Sequence, residues 1–220
     1  MAALRAGGDD DEWGGQMKRE NIPTIRDVAY CFSKCDVERY LYEEGPKHGI
    51  ECMSVQPCHV IGPLLCAAHQ APFMWQTKIG DMMMGIPTAA HYWTMTDVRD
   101  VAMAHVLAAE CTKNENGGRY LLVPPTDDGM MKMSTIQETL QELYPGVGIA
   151  GEFEPKEYAN HQFSILQGGP VIEELGLEPH DPVETLKATV DSLMLMGLIQ
   201  PRKVSPLFCS GSTVPRSAEL

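Results

Sequence analysis

Residues 30–63 give the strongest indication of the fold: Tyr-Cys-Phe-Ser-Lys (30–34), a helical pattern, Ile-Glu-Cys-Met-Ser-Val-Gln (50–56) and Pro-Cys-His-Val-Ile-Gly-Pro (57–63). Tyr30 and Lys34 are four residues apart, so on a helix their side chains share one face. A phenol beside a fixed ammonium can donate a proton near neutral pH, because the positive charge favours the phenolate. The same spacing also fits a half-buried tyrosine ring beside a solvated amine, and the pair alone leaves both interpretations open.

The bulk composition argues against several classes of function. The chain carries 30 acidic and 17 basic residues, a net charge of -13. Nucleic acid is therefore not an expected partner, because phosphate binding needs clustered lysines and arginines. No stretch approaches the ~20 apolar residues of a membrane span, so no membrane partner is expected. Seven cysteines without a Cys-x-x-Cys pair indicate free thiols in a reducing compartment, and hence a cytoplasmic location.

Three segments can be distinguished along the 220 residues. Residues 1–27 are acidic and glycine-rich, lack the apolar run of a signal peptide, and predict an irregular segment. Residues 28–200 hold helical and strand patterns, and the chain is long enough for one domain or a domain and a half. Residues 201–220 are rich in serine and proline and predict a loose tail.

The pattern within the folded segment alternates helices with short strands. Helices are predicted over residues 28–44, 72–84, 134–143 and 182–196, with a further helix capped by Thr96-Asp97. Strands are predicted over residues 50–57 and 119–123. Ser134 and Gln137 have the spacing of a capping box, and Asp181 stands before a proline at a first helical position. This alternation indicates an α/β fold with parallel pairing. Only two or three strands are evident, which leaves open sheet edges that favour association, while the oligomeric state stays open.

Several motifs in one order resemble a known family. Tyr-x-x-Ser-Lys, a helix, a strand and Pro-x-x-Val-x-Gly-Pro resemble the extended short-chain dehydrogenase/reductases, also called the NAD-dependent epimerase/dehydratase family. The branch is that of dihydroflavonol reductase and cinnamoyl-CoA reductase. Residues 94–105 resemble its His-Val-Asp-Asp-Val-Ala-x-Ala-His segment, residues 118–122 its next strand, and residues 174–177 with the helix from Pro182 its carboxyl-terminal end. The Arg-Tyr-x-Asn-x-Tyr-Gly-Pro motif of the nucleotide-sugar branch is absent. The resemblance covers about residues 25–199.

The resemblance implies an incomplete Rossmann-type fold, a doubly wound parallel sheet without its amino-terminal half, followed by a small α/β substrate lobe. It implies an oxidoreductase that transfers hydride between a nicotinamide and a small carbonyl or alcohol substrate. Tyr30 would give a proton to the carbonyl, and Lys34 would bind the nicotinamide ribose. Pro57 and Val60 would touch the nicotinamide end of the cofactor. The cofactor would be NADP or NAD, with NADP favoured by the resemblance.

Two parts of the family's machinery are not evident in the sequence upstream of Tyr30. The family opens with a strand, a Gly-x-x-Gly-x-x-Gly turn and a helix that together hold the pyrophosphate. It also carries a catalytic serine or threonine before the tyrosine. We therefore expect a truncated chain that is not active on its own. The alternative is a non-catalytic fragment or interaction protein that keeps the substrate lobe without binding a dinucleotide.

Other candidate sites carry less specific signals. Residues 146–151 read Gly-x-Gly-x-x-Gly, but a helix precedes them where the fingerprint needs a strand, so they predict a loop. The cysteines and histidines between residues 52 and 69 fit no common zinc spacing, and buried thiols with one loop histidine are the better interpretation, with no metal expected. The methionines at positions 82–84, 130, 131 and 133 fit either an adaptable pocket or core packing. In the family, residues 70–93 contribute to the substrate pocket, which makes Met74, Trp75 and Trp93 candidate contacts.

Overall fold

A computed structural model describes residues 26–69, 75–87, 92–112, 118–127, 129–151 and 169–203. Within these ranges the helices are α1 (Arg26–Glu44), α2 (Trp75–Met83), α3 (Val98–Glu110), α4 (Met133–Leu143), α5 (Gly169–Glu173) and α6 (Pro182–Leu195), besides two short 3-10 turns. The strands are β1 (Met53–Pro57), β2 (His59–Ile61), β3 (Tyr92–Trp93), β4 (Met95–Asp97), β5 (Gly118–Leu122) and β6 (Met131–Lys132). Most of the predicted irregular segment 1–27 and of the predicted tail 201–220 lies outside the described residues.

The strands pair in three small sheets. β1 and β5 run parallel, with Met53 opposite Gly118 and Pro57 opposite Leu122. β2 and β4 are also parallel, whereas β3 and β6 are antiparallel. The predicted α/β fold with parallel pairing is confirmed. The expectation of two or three strands was too low, because the four strands it missed have only two or three residues each and show no period-two pattern.

Two predicted boundaries are wrong for reasons of tertiary packing. The strand predicted from residue 50 begins at Met53, and Ile50 is exposed after the turn that ends α1. Helix α4 begins at Met133 with Lys132 as its N-cap, so Ser134 lies inside the helix and the predicted capping box does not form. The pairing of Met131 and Lys132 with β3 and the burial of Met133 fix the start of this helix instead.

The larger hydrophobic core lies between α2, α4 and α6 and is rich in methionine. Its buried members are Ile61, Leu64, Ile79, Met82, Met83, Met95, Met131, Met133, Ile136, Leu140, Ile149, Leu186, Val190, Leu193 and Ile199. Four of the methionines that fitted either a pocket or a core are therefore core residues. We call this part of the molecule, α2, α4 and α6 with β3 and β6, the carboxyl-terminal lobe.

A smaller core surrounds β5. Its buried members are Ala104, Ala108, Tyr120, Leu122, Val171, Leu175 and Leu177, from α3, β5 and α5 with the turn that follows it. Helix α1 differs from the rest, because none of its described side chains (residues 30 and 32–44) is buried. Among the helices that the structure describes, none is long and apolar enough to cross a bilayer.

Candidate active site

Helix α1 carries the two residues that the sequence singles out. It ends at Glu44, before the Gly-Pro pair that predicts its end, and Gly49 closes the following turn with a φ of 69°. Near its start the Nζ atom of Lys34 lies 5.4 Å from the centre of the Tyr30 ring. Tyr30 is 55% exposed and Lys34 is exposed as well. The helix therefore presents a phenol and an ammonium side by side, open to a ligand.

The bonds of the second half of α1 show which way it runs relative to β1. The Tyr42 hydroxyl donates to the Gly118 carbonyl, which lies opposite the start of β1. One turn earlier, Glu38 accepts hydrogen bonds from Ser54 and Gln56. Moving back along the helix thus moves forward along the strand. At ~1.5 Å per helical residue and ~3.3 Å per strand residue, four helical residues match about two strand residues.

Extrapolation of this register predicts that the pair lies near the carboxyl end of β1. Extending it from Glu38 by one turn brings Lys34 beside the end of the strand at Pro57, and a second turn takes Tyr30 beyond it. Ligands of open α/β sheets bind outside the carboxyl ends of strands. The position of Tyr30 and Lys34 is therefore the one in which a bound ligand can reach them.

Pro57 and Val60 flank the point at which the chain passes from the β1–β5 sheet to the β2–β4 sheet. Pro57 ends β1, and Val60 lies in the middle of β2 opposite Thr96 of β4. Between them the Cys58 N–H donates to the Leu122 carbonyl, 3.2 Å away, and thereby fixes the turn. Both residues are partly exposed rather than sealed in a core. The structure brings Tyr30 and Lys34 together, and it places Pro57 and Val60 at the strand end and in the segment that continues from it.

The glycine of Pro-x-x-Val-x-Gly-Pro has a definite structural role. Gly62 has a φ of 120°, and a Cβ there would come within 3.2 Å of atoms of Asp97 and Val98. Its N–H donates to the Thr189 hydroxyl of α6 over 2.8 Å. A side chain at this position would force β2 away from α3, so the glycine keeps the loop against the carboxyl-terminal lobe.

The sequence predicts no special role for His59, but the structure gives its ring defined neighbours. Its ring lies 3.6 Å, centre to centre, from the ring of Trp75, and its Nδ1 lies 3.1 Å from the Thr94 hydroxyl. Burial, followed by nearby positive charge such as that of Lys78, lowers the pKa of His59 to about 4. A neutral imidazole therefore stands two residues after Pro57. Trp75, one of the candidate substrate contacts, is its neighbour, whereas Met74 and the side chain of Trp93 lie outside what the structure describes.

The segment that resembles His-Val-Asp-Asp-Val-Ala-x-Ala-His joins elements rather than lining the candidate site. Asp97 caps α3 and accepts hydrogen bonds from Arg99 and from the Thr185 hydroxyl of α6. Burial raises its pKa, but these hydrogen bonds and the charge of Arg99 outweigh burial and lower it. Asp100 accepts hydrogen bonds from the backbone and ring of His180. This motif therefore ties α3 to the segment that leads into α6.

Residues 146–151 form a loop, as their context predicts, and not a phosphate cradle. The Gly148 N–H donates to the Arg202 carbonyl, and the Ala150 N–H donates to the Met82 carbonyl. A Cβ on Gly151 would meet the Gln137 side chain at 2.5 Å. Both backbone N–H groups already donate to carbonyl oxygens of the chain, so this loop does not supply the donors that a pyrophosphate needs.

The described residues place a phenol and an ammonium close together on α1, and Pro57 at the end of β1. Within the ranges that the structure covers, no glycine-rich turn joins a strand to the start of a helix. No three histidine, cysteine or acidic side chains in the same ranges gather around a common point where a metal ion could bind.

Comparisons with known proteins show similarity to reductases over part of their length. No family model matches the chain. It is 28% identical over 179 residues to cinnamoyl-CoA reductase 1 of Arabidopsis thaliana, which covers 78% of this chain and 48% of that protein. It is 33% identical over 125 residues to cinnamoyl-CoA reductase 1 of rice, covering 54% and 33% of the two chains. The chain thus spans about half or less of the curated relatives it matches.

Solved structures match the same portion of the fold. Yeast methylglyoxal/isovaleraldehyde reductase Gre2, in complex with NADPH, superposes with a TM-score of 0.64 at 21% identity, over 84% of this chain and 56% of that one. Vestitone reductase from alfalfa gives a TM-score of 0.64 at 20% identity, over 80% and 54% of the two chains. The α/β fold with parallel strands therefore matches Rossmann-type reductases over about half their length. The sequence similarities confirm the family resemblance indicated by the ordered motifs.

Proposed function

Because the chain resembles the cinnamoyl-CoA reductase branch of the extended short-chain dehydrogenase/reductases over about half of their length, we propose that it is the catalytic-tyrosine and substrate-lobe portion of an NAD(P)-dependent oxidoreductase. The reaction is reduction of a small carbonyl compound, or oxidation of the corresponding alcohol. The observation that carries the proposal is the exposed Tyr30–Lys34 pair, 5.4 Å from amine to ring centre, on the helix whose later residues bond to β1.

Each residue of the pair has a distinct task. The Tyr30 hydroxyl donates its proton to the substrate oxygen as negative charge develops there. The Lys34 ammonium stabilises the charge left on the phenolic oxygen, and it is also placed to bind the hydroxyls of the nicotinamide ribose. Bound NADPH, or NADH, supplies the hydride for the substrate carbon. Pro57 and Val60 lie where their backbone groups can contact the nicotinamide end.

Direct titration tests the cofactor part of the proposal. NADPH is added to the 220-residue chain, and the fluorescence of its nicotinamide is followed. We expect saturable micromolar binding, weakened at least tenfold by Lys34→Ala. The matched control is Lys47→Ala. Lys47 is an exposed lysine just after α1, and it forms an ion pair with Glu44, the last residue of that helix. Binding that is equal in both variants would rule out Lys34 as a cofactor ligand.

The chemical role of Tyr30 needs a turnover measurement. Residues 26–203 are fused behind the glycine-rich half of a related reductase, and reduction of an aldehyde by NADPH is followed. Tyr30→Phe should lower kcat by about 10²–10⁴-fold, the range for removal of a general acid, with cofactor affinity nearly unchanged. Tyr40→Phe, an exposed tyrosine on the same helix, is the control. Unchanged turnover in Tyr30→Phe would contradict the assignment.

The partial coverage of the relatives favours a second candidate function, that of a non-catalytic fragment or interaction protein. The chain spans about half or less of them, and its described part has no glycine-rich turn between strand and helix. A non-catalytic fragment or interaction protein that keeps the substrate lobe would have these features. In that case the titration shows no NADPH binding by the parent chain, whereas saturable binding excludes it.

A further inference from the structure

Four residues of α1 form one ridge of the helix. Tyr30, Lys34, Glu38 and Tyr42 follow each other at intervals of four, so neighbouring members are one turn apart and the four form a ridge that is inclined to the helix axis. The first two stand beside and beyond the carboxyl end of β1. The last two bond to the sheet, Glu38 to β1 and β5 and Tyr42 to the Gly118 carbonyl. The proposed site and its attachment therefore share one row of side chains.

Apolar packing contributes little to the position of this helix. Val37 and Leu41 are 56% and 49% exposed, and no described side chain of α1 is buried. By contrast, α6 buries six side chains: Thr185, Leu186, Thr189, Val190, Ser192 and Leu193. A helix without a buried apolar stripe can slide or rotate on its sheet unless directional bonds hold it.

Glu38 makes four such bonds to the sheet. Its carboxylate accepts from the Ser54 hydroxyl at 2.5 Å, from Gln56 Nε2 at 2.6 Å, and from Arg119 Nε and Nη2 at 3.0 and 2.9 Å. The side chains of Glu38 and Arg119 are only 14% and 5% exposed. The bonds come from two adjacent strands, so they fix both the height and the rotation of the helix.

The electrostatics of the pair fit an ionised, bonded carboxylate. Burial by itself raises the pKa of Glu38, but hydrogen bonds from Arg119 and Ser54 and the positive charge of Arg119 lower it overall. The carboxylate therefore keeps its charge, and the charge keeps the bonds short and directional.

We infer that Glu38, paired with Arg119, is the positioning residue of the site: it fixes the height and rotation of α1 on β1 and β5, so that Lys34 and Tyr30, one and two turns further along the ridge, stand beside and beyond the carboxyl end of β1. This inference rests on the proposed function for the meaning of that position. It goes beyond that function in naming the residue that acts through Tyr30 and Lys34 without touching a ligand.

Hydrogen exchange of the 220-residue chain tests the inference without any cofactor. The isosteric change Glu38→Gln removes the charge, and Glu43→Gln removes an exposed carboxylate from the same helix. We expect amides of α1 to exchange at least tenfold faster in Glu38→Gln, with α6 unchanged, and no effect of Glu43→Gln. Glu38→Asp, which keeps the carboxylate one methylene shorter, should recover a large part of the protection.

Two results would overturn the inference. One is unchanged exchange of α1 in Glu38→Gln. The other is faster exchange of α1 and α6 alike, without recovery in Glu38→Asp, because that result means a general contribution to stability and not a positioning role.

Titration with NADPH separates this inference from the proposed function. If the parent chain binds NADPH, Glu38→Gln should raise the dissociation constant at least fivefold and Glu38→Asp should restore it, whereas equal affinity in all three would contradict positioning. If the parent chain binds none, the cofactor proposal fails, and the exchange of α1 alone decides whether Glu38 holds the helix.

Discussion

The carboxyl-terminal lobe and the α1 layer, formed by α1, β1 and β5, belong to one chain but are held together by different forces. In the lobe, α2, α4 and α6 enclose a continuous set of buried aliphatic and methionine side chains. In the α1 layer the helix meets its sheet through a carboxylate, a guanidinium, a hydroxyl and an amide. Apolar packing tolerates small shifts, whereas hydrogen bonds fix direction. The layer that carries the proposed catalytic pair thus has the more directional and less extensive attachment.

The greatest loss of stability is expected from a substitution in the core of the carboxyl-terminal lobe. Leu193 of α6 is fully buried, so Leu193→Ala should lower the free energy of unfolding by about 3–4 kcal/mol through lost transfer energy and a residual cavity. Leu41→Ala, at an exposed position of α1, should change it by less than about 0.5 kcal/mol. Urea unfolding followed by circular dichroism compares the two. Equal losses would mean that α1 is packed as tightly as α6.

The next effect concerns the polar attachment of α1. Arg119→Met leaves the Glu38 carboxylate buried without its cation, which should cost about 3 kcal/mol in the opening free energy of α1 and β1. Lys47→Met removes the lysine of the exposed pair with Glu44 and should leave the opening of α1 and β1 nearly unchanged, because solvent screens an exposed pair. Hydrogen exchange of the α1 and β1 amides is the measurement. Similar small effects in both variants would show that the buried pair does not hold the layer.

A third effect is expected at the junction between the two regions and depends on pH. The pKa of His59 falls from 6.5 unfolded to about 4 folded, so the unfolded chain binds more protons between these values. Stability should therefore fall as the pH drops from 6.5 to 4, by about 1–2 kcal/mol after allowance for the partial exposure of the ring.

Replacement of the imidazole identifies the source of this slope. His59→Gln should flatten the loss of stability between pH 6.5 and 4, while His48→Gln, at an exposed histidine, should leave it unchanged. Urea unfolding at a series of pH values gives the comparison. A slope that survives in His59→Gln would assign it to other groups.

The smallest effect expected is at a helix end of the lobe. The Asp181 carboxylate accepts from the N–H groups of Val183 and Glu184 at the start of α6. Asp181→Ala should lower the free energy of unfolding by about 1 kcal/mol, and Asp181→Asn, which keeps an acceptor, by only a few tenths. Thermal unfolding of the two variants distinguishes them. An equal loss in both would show that the charge, not the acceptor, is what matters.

Much of the helical framework could be predicted from local pattern. Helix α1, the N-cap at Asp97 and the Asp-Pro start of α6 follow from residues next to each other in the chain, and the structure has all three. The start of α4 could not be predicted this way, because the pairing of β6 with β3 outweighs the capping box at Ser134. The strands of two or three residues were missed for the same reason, since only a partner far along the chain defines them.

In the candidate site, too, some features follow from local sequence and others from contacts between distant residues. That Tyr30 and Lys34 share a helix face follows from the sequence alone, since a spacing of four residues on a helix requires it. That Glu38 meets Arg119, 81 residues further along, and that His59 lies against Trp75 depend on tertiary packing. Local spacing is a property of the covalent chain. Burial, pKa and the choice of distant partners depend on how the strands and helices pack, which no short stretch of sequence contains.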